Sequence, residues 1–121
     1  HLIDVVKQSR IPVYTYGMGS IASCGVMLMM AGVKGHRYLT QNTAVMSHEF
    51  SGATRGQYHD MLDAQPHMEW TNKKLLEHYM KCTGKKENYI RKHMLAPKTD
   101  HWLTPEEAIK HGIADKLVET Y

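Results

Sequence analysis

A chain of 121 residues with 42% hydrophobic and 22% charged residues is large enough for one globular domain and too small for several. Its net charge of +3 comes from 15 basic and 12 acidic residues, and the basic residues occur as short pairs without interleaved aromatic side chains, which argues against a nucleic-acid interface. The two cysteines are not in a CxxC spacing, no apolar run reaches the ~20 residues of a membrane span, and the nine histidines form no metal-binding motif, so we expect a cytoplasmic protein without a metal site.

The N-terminal part of the chain predicts a helix, a strand and a second helix. Apolar residues at helical spacing in residues 2–6 indicate a helix that is already under way where the sequence begins, so we expect the chain to be a truncated or processed product. Residues 11–17 (IPVYTYG) are rich in β-branched and aromatic side chains and predict a strand. Gly17 and Gly19 then bracket a tight turn, and residues 20–32 (SIASCGVMLMMAG) predict a helix with a buried body.

Two short strands and a long polar helix are predicted in the middle of the chain. Residues 36–40 and 43–48 have strand-forming side chains and are separated by a two-residue turn signal. Residues 57–81 carry only a thin apolar stripe, which predicts a helix that projects or packs edge-on. Pro66 cannot lie in a helix interior without the loss of a hydrogen bond, so we expect the helix either to begin there or to be kinked there.

The C-terminal part predicts one well-delimited helix and a last strand. Thr104 is typical of an N-cap, Pro105 of the first helical position and Gly112 of a left-handed C-terminal cap, so a helix is expected over 105–111. Residues 113–118 (IADKLV) predict a short strand. Because strands and helices alternate along the sequence, we expect an α/β fold in one domain over residues 1–121.

Ser23 is the candidate nucleophile that the residue pattern itself singles out. It lies in the first turn of a helix that follows a strand, where the backbone N–H groups of Cys24 and Gly25 have no intrahelical partner and can stabilise an oxyanion. The pattern is not the G-x-S-x-G elbow of hydrolases, because Ile21 occupies the first glycine position. On the residues alone, close helix packing through small side chains is the more common reason for such a segment.

Three separated motifs resemble those of Clp protease proteolytic subunits. Residues 17–57 (GMGSIASCGVMLMMAGVKGHRYLTQNTAVMSHEFSGATRGQ) are similar to the stretch that carries the family's serine and histidine, and residues 42–48 (NTAVMSH) match Asn-(Ser or Thr)-x-x-Met-x-His. Residues 100–108 (DHWLTPEEA) and 111–115 (HGIAD) resemble Asp-x-aromatic-(Leu or Met)-(Ser or Thr)-x-x-Glu-Ala and the closing Gly-(Leu or Ile)-(Val or Ile)-Asp. The motifs occur in the family's order and cover nearly the whole chain.

The resemblance implies a serine endopeptidase of the crotonase-like α/β fold, with a parallel inner sheet, covering helices and a projecting handle helix over 57–81. The implied site is a catalytic triad, an oxyanion donor and a substrate-binding loop: Ser23, His48 and Asp100; Cys24; and Ser51, Gly52 and Ala53. The implied partners are sibling subunits in stacked heptameric rings, an AAA+ unfoldase of the ClpX or ClpA type, and unfolded polypeptide substrates. No cofactor is implied, because the ATP requirement belongs to the unfoldase.

The sequence departs from the family's pattern in three places. The family's upstream segment, which carries the second oxyanion donor and the axial loops, is not among these residues, so we expect the 121 residues alone to be a poor catalyst. Glu49-Phe50 stands where the family usually has Gln-Pro, and extra residues around 95–97 precede Asp100. Two alternatives therefore stay open, a non-catalytic ClpP-like ring or regulatory subunit and, further from the motifs, a crotonase-like acyl-CoA enzyme.

Overall fold

The structure, a computed structural model, describes the backbone of residues 1–49 and 58–119 and the side chains of residues 1–49 and 66–119. Within these residues the helices and strands follow one another in this order: α1 Leu2–Gln8, β1 Thr15–Gly17, β2 Ser20–Ala22, α2 Cys24–Met30, β3 Arg37–Thr40, β4 Ala44–Ser47, α3 Tyr58–Thr83, α4 Glu87–His93, β5 His101–Leu103, α5 Pro105–Lys110 and β6 Lys116–Val118.

Two neighbouring strands bend together from one three-stranded sheet into another. β1 and β3 pair in parallel in the first sheet, which has the order β1-β3-β6, and their continuations β2 and β4 pair in parallel in the second, which has the order β2-β4-β5. Gly19 adopts a positive φ of 79° at the bend, where its carbonyl accepts a hydrogen bond of 2.7 Å from the N–H of Ala44. The Thr43 hydroxyl donates to the Gly17 carbonyl at 2.9 Å. As a result, β2 and β4 end side by side.

β5 runs antiparallel to β4, with Ser47 opposite His101 in the register. The expected α/β fold with a parallel sheet and helices is confirmed, since the other three strand pairs of the described residues are parallel. The antiparallel pairing of β5 is an addition that the sequence pattern did not predict. It brings the segment that precedes β5 to the end of β4.

The core lies between the sheets and the helices α2, α3 and α4. Its buried apolar side chains are Val26, Met29 and Met30 of α2, Leu39 and Val45 of the strands, Leu75, Tyr79 and Cys82 of α3, and Ile90 of α4, with Met94, Leu95, Leu103, Ala108, Ile113 and Ala114 from the C-terminal part. The C-terminal half of α3 therefore packs against the domain's own core, although the polar composition of this segment predicts edge-on packing at most.

A buried ion pair links the N-terminal ends of β3 and β6, which are adjacent parallel strands of the first sheet. Arg37 Nε and Nη2 donate to the carboxylate of Asp115 at 2.8 and 2.7 Å, and Nη1 donates to the carbonyls of Met30 and Cys82 at 3.4 and 3.0 Å. Burial alone would raise the pKa of Asp115, but the hydrogen bonds and charge of Arg37, together with two backbone N–H donors, hold that pKa below its ordinary value. One arginine thus links β3, the segment before β6 and the C-terminal ends of α2 and α3.

Two local predictions are wrong for identifiable reasons. Only Thr15–Gly17 of the predicted strand 11–17 is a strand, because Pro12 lacks the N–H group that a strand ladder needs. Residues 20–22 form a strand rather than a helix start, because the positive φ of Ser23 separates the extended segment from α2. The predicted helices over 57–81 and 105–111 appear as α3, which contains Pro66, and as α5. Neither α4 nor β5 was predicted.

Candidate active site

Ser23 lies at the sharp bend between β2 and α2. Its φ of 54° and ψ of −115° are a costly conformation for a residue with a side chain. The backbone holds it there, because its N–H donates to the Met46 carbonyl of β4 at 3.2 Å and its carbonyl accepts from the N–H groups of Val26 and Met27 at 3.1 and 3.3 Å. The exposed side chain makes no capping hydrogen bond to α2. Its hydroxyl is therefore available to another group, as in the strained strand-to-helix turns that present a nucleophilic serine elsewhere.

The first two N–H groups of α2 lie directly after Ser23. They belong to Cys24 and Gly25, which are too close to the start of the helix to have intrahelical acceptors. No described residue accepts a hydrogen bond from either of them. The N-terminal end of a helix also carries a partial positive charge. These two groups can thus donate hydrogen bonds to negative charge that develops beside the Ser23 hydroxyl.

His48 follows β4 and is half-buried beside the end of β2. Its Nδ1 lies 2.5 Å from the backbone carbonyl of Glu49. A carbonyl oxygen can only accept, so this contact favours the tautomer with the proton on Nδ1, in which Nε2 is the acceptor nitrogen. Nε2 is the nitrogen that can take a proton from a hydroxyl. The structure contains no hydrogen bond between His48 and Ser23, but both residues line one cavity.

This cavity has a volume of about 290 Å³ and lies between α2 and α3. Its lining combines the two candidate catalytic side chains with largely apolar walls: Ser23, Cys24, Met27, His48, Trp70, Thr71, Lys74 and Leu75. Four of these residues come from α3, a segment that no sequence motif connects with the site. The cavity can hold an apolar side chain directly beside the Ser23 hydroxyl.

Asp100 is the last residue before β5 and is brought to the same end of the sheet as His48. Because Ser47 is opposite His101 in an antiparallel pair, the next pair along the register is His48 and Asp100. The carboxylate of Asp100 is exposed and has no hydrogen bond with a described residue. The Nδ1 position that an orienting carboxylate would use is occupied by the Glu49 carbonyl. The backbone of Asp100 therefore lies opposite that of His48, but the two side chains are not hydrogen-bonded to each other.

A buried hydrogen-bond network fixes the strand end that carries His48. The Ser47 hydroxyl lies 2.6 Å from the Tyr79 hydroxyl and donates to the Met94 carbonyl at 2.8 Å. Burial raises the pKa of Tyr79 to about 12, although the hydrogen bond with Ser47 acts in the opposite direction. Tyr79 therefore stays neutral and donates to Ser47, which ties β4 to α3. No local sequence pattern indicates this network, because Tyr79 and Met94 are 32 and 47 residues from Ser47.

The predicted substrate-binding residues Ser51, Gly52 and Ala53 lie outside the described residues. Among the described residues, no group of three or more His, Cys, Asp or Glu side chains is arranged to hold a metal ion. No helix in the described part of the chain is long and apolar enough to cross a membrane.

The comparison with known protein families agrees with the motifs and the fold. The model of the Clp protease family matches residues 1–121, which is the entire chain. The mixed α/β fold, with its parallel strands and covering helices, is that of a Clp protease domain. The chain belongs to the Clp protease family, a family of peptidases.

Proposed function

We propose that this protein is a serine endopeptidase that hydrolyses peptide bonds of unfolded polypeptides as the proteolytic subunit of an ATP-dependent Clp-type protease. The observation that carries the proposal is that Ser23, on a strained turn, and His48, whose Nδ1 lies at the Glu49 carbonyl, line one largely apolar cavity. Ser23 and His48 directly follow β2 and β4, two adjacent parallel strands, so both lie at the C-terminal end of these strands. The match to a peptidase family over residues 1–121 supports a role for this pair in peptide-bond hydrolysis.

In the proposed mechanism the Ser23 hydroxyl attacks the carbonyl carbon of the scissile bond while His48 Nε2 takes its proton. His48 then donates that proton to the leaving amine, which leaves an acyl group on Ser23 that water hydrolyses. The N–H of Cys24 donates to the oxyanion of the tetrahedral intermediate. Asp100 holds the His48 ring in the productive tautomer once its side chain replaces the Glu49 carbonyl at Nδ1. The apolar cavity takes the substrate side chain next to the scissile bond, and residues 51–53 pair with its backbone.

Kinetics on a fluorogenic peptide with an apolar residue before the scissile bond test this mechanism. Ser23→Ala and His48→Gln should each lower kcat/KM by at least ~10³-fold. Asp100→Asn should lower it by at least ~10²-fold, because the imidazole loses its orienting charge. Ser20→Ala is the matched control, since Ser20 is an exposed serine on β2 close to the site, and it should leave kcat/KM unchanged. Activity that survives Ser23→Ala would refute the mechanism.

The proposal also includes a homo-oligomer, with heptameric rings that stack and an AAA+ unfoldase as the partner that consumes ATP. Large apolar side chains stay exposed on two of the described elements that such rings would cover, namely Leu2 and Val5 on α1 and Trp70 on α3. Light scattering at micromolar concentration should give the mass of a higher oligomer. A monodisperse monomer would contradict this part of the proposal and leave the catalytic part standing.

A non-catalytic ring subunit is the alternative that the same experiments separate. The feature in its favour is the exposed carboxylate of Asp100, which makes no hydrogen bond to His48 or to another described side chain. A subunit of that kind would assemble into rings yet show neither peptide hydrolysis nor reaction of Ser23 with a fluorophosphonate.

A further inference from the structure

A second cavity lies where the C-terminal ends of α1, α2 and α3 converge, at the opposite end of α2 from the candidate active site. It has a volume of about 260 Å³. No carboxylate is among the described residues that line it, and four cationic side chains are: Lys7, Lys34, Lys81 and Arg37. Lys7 and Lys81 come from the last turns of α1 and α3.

The charges in this cavity are not balanced by the protein. Arg37 is neutralised by Asp115, with which it forms two hydrogen bonds. Lys7, Lys34 and Lys81 form no ion pair with a described residue. A helix C-terminus offsets at most about half an elementary charge. The three helix ends therefore explain why lysines are favoured here, but they leave the cavity with a net positive charge.

The thiol of Cys82 forms part of the cavity wall and does not supply the missing negative charge. Its side chain belongs to the core, with 4% of the residue exposed, and it is also one of the cavity's lining residues. Burial raises the pKa of Cys82, and the opposing charges of Lys7, Arg37 and Lys34 are too weak to reverse this, so the thiol is neutral at pH 7. Cys82 lines this cavity together with Lys7, Lys34, Arg37 and Lys81.

We propose that this cavity binds a small oxyanion, of the size and charge of inorganic phosphate or a carboxylate, between the ammonium groups of Lys7, Lys34 and Lys81. An oxyanion accepts hydrogen bonds from several ammonium groups at once and supplies the charge that the three lysines lack. The volume suits a phosphate with a few water molecules and is below the usual range for a nucleotide or another drug-sized ligand. The site is independent of the proposed peptidase activity, because it shares no lining residue with the cavity of Ser23 and His48.

The alkylation rates of Cys82 with an anionic and a neutral reagent report the electrostatic potential in the cavity. The thiolate sulfur displaces iodide from iodoacetate, an anion, or from iodoacetamide, a neutral reagent of similar size, and mass spectrometry of the Cys82 peptide gives both rates. The ratio of the two rates does not depend on how much thiolate is present. We expect the ratio of the iodoacetate rate to the iodoacetamide rate to be about fivefold or more higher at Cys82 than for N-acetylcysteine, because the cavity concentrates anions.

Lysine variants assign that effect to the cavity. Lys7→Met, Lys34→Met and Lys81→Met should each lower the ratio about twofold to threefold, since each removes one positive charge and keeps an unbranched side chain that is one atom shorter. Lys92→Met is the matched control, because Lys92 is an exposed lysine of α4 that does not line the cavity, and it should leave the ratio unchanged. A ratio equal to that of N-acetylcysteine, or one insensitive to all three cavity lysines, would overturn the proposal.

Binding itself is measured on the unaltered protein, which removes any dependence on variant folding. Inorganic phosphate should slow the alkylation of Cys82 by both reagents, compared with chloride at the same ionic strength, and should release or absorb heat in a calorimetric titration. A double variant, Lys7→Met with Lys81→Met, should lose both effects. Phosphate that protects Cys82 no better than chloride overturns the proposal, whatever the ratio of alkylation rates.

Discussion

Replacement of Asp115 by asparagine should destabilise the domain more than any surface substitution, because it leaves the charge of Arg37 buried without a counterion. Only 2% of the Arg37 side chain is exposed. Asp115→Asn keeps the shape of the side chain and one acceptor oxygen, while the new amide group faces a guanidinium nitrogen that has no lone pair to offer it. The perturbation is thus confined to the charge and to about one hydrogen bond.

The expected loss is about 3 kcal/mol in the free energy of unfolding. Removal of one partner of a buried ion pair typically costs about 3–5 kcal/mol. We place the effect at the lower end because 16% of the Asp115 side chain remains exposed and water can partly solvate Arg37 from that side. The double variant Arg37→Met with Asp115→Asn has no buried charge, so it should lose about 2 kcal/mol less than the sum of the two single variants.

Urea unfolding followed by circular dichroism measures these differences, with Asp4→Asn as the matched control. Asp4 is an exposed carboxylate of α1, 3.8 Å from the terminal ammonium group, and its replacement should cost less than about 0.5 kcal/mol. The folded-state pKa of Asp115 lies below its ordinary value of 3.8, so its stabilising effect is present above pH 3.8 and is lost as the pH falls through the folded-state pKa. A loss below about 1 kcal/mol at pH 7, or strictly additive single variants, would refute this account of the ion pair.

Further predictions concern a glycine, a helix cap and two histidines. Gly112→Ala should cost about 2 kcal/mol or more in unfolding free energy, because Gly112 has a φ of 86° and an added Cβ would lie 2.8 Å from the Thr83 carbonyl oxygen; an unchanged urea midpoint would contradict this. Thr104→Ala should cost about 1 kcal/mol through loss of the N-cap of α5, whereas Thr104→Ser should cost little, and equal losses in both variants would contradict a capping role. Burial lowers the pKa of His111 and of His78, so the unfolded chain takes up protons first and stability should fall as the pH drops below about 6.5; His111→Gln should make that fall shallower, and an unaltered slope would count against the contribution of His111.

The elements that sequence patterns predicted well are those that local interactions specify. The helix over 105–111 was predicted from Thr104, Pro105 and Gly112, and the structure adds a complete capping box in which Thr104 and Glu107 bond to each other's backbone. The strands over 36–40 and 43–48 were predicted from side-chain type and appear as β3 and β4. Such signals span only a few residues, so they are readable without the tertiary structure.

The features that were not predictable depend on contacts between distant residues. Arg37 and Asp115 are 78 residues apart, and neither has a neighbour in sequence that indicates the pair. The strand β5 is three residues long and exists because it pairs with β4. The part of α3 that lines the candidate site follows from its packing on α2, which a thin apolar stripe does not specify.

The candidate site shows both kinds of feature. Ser23 was singled out by its position between a strand and a helix, and the structure adds a strained backbone and a side chain that makes no capping hydrogen bond to the helix. The position of His48 as a strand end was predicted, but its hydrogen bond to the Glu49 carbonyl was not. The assignment of Asp100 rests on the family motif and on the register of β4 and β5, and it stays a prediction.

Reaction with a fluorophosphonate probe tests the central claim most directly, because such a probe phosphonylates only a serine that a neighbouring base activates. Mass spectrometry of the digested protein should place the probe on Ser23, with no labelling in Ser23→Ala, labelling slowed by at least ~10²-fold in His48→Gln, and unchanged labelling in Ser20→Ala. Absence of the probe from Ser23, or labelling that is as fast in His48→Gln as in the unaltered protein, would contradict the claim that Ser23 and His48 form a nucleophile and its base.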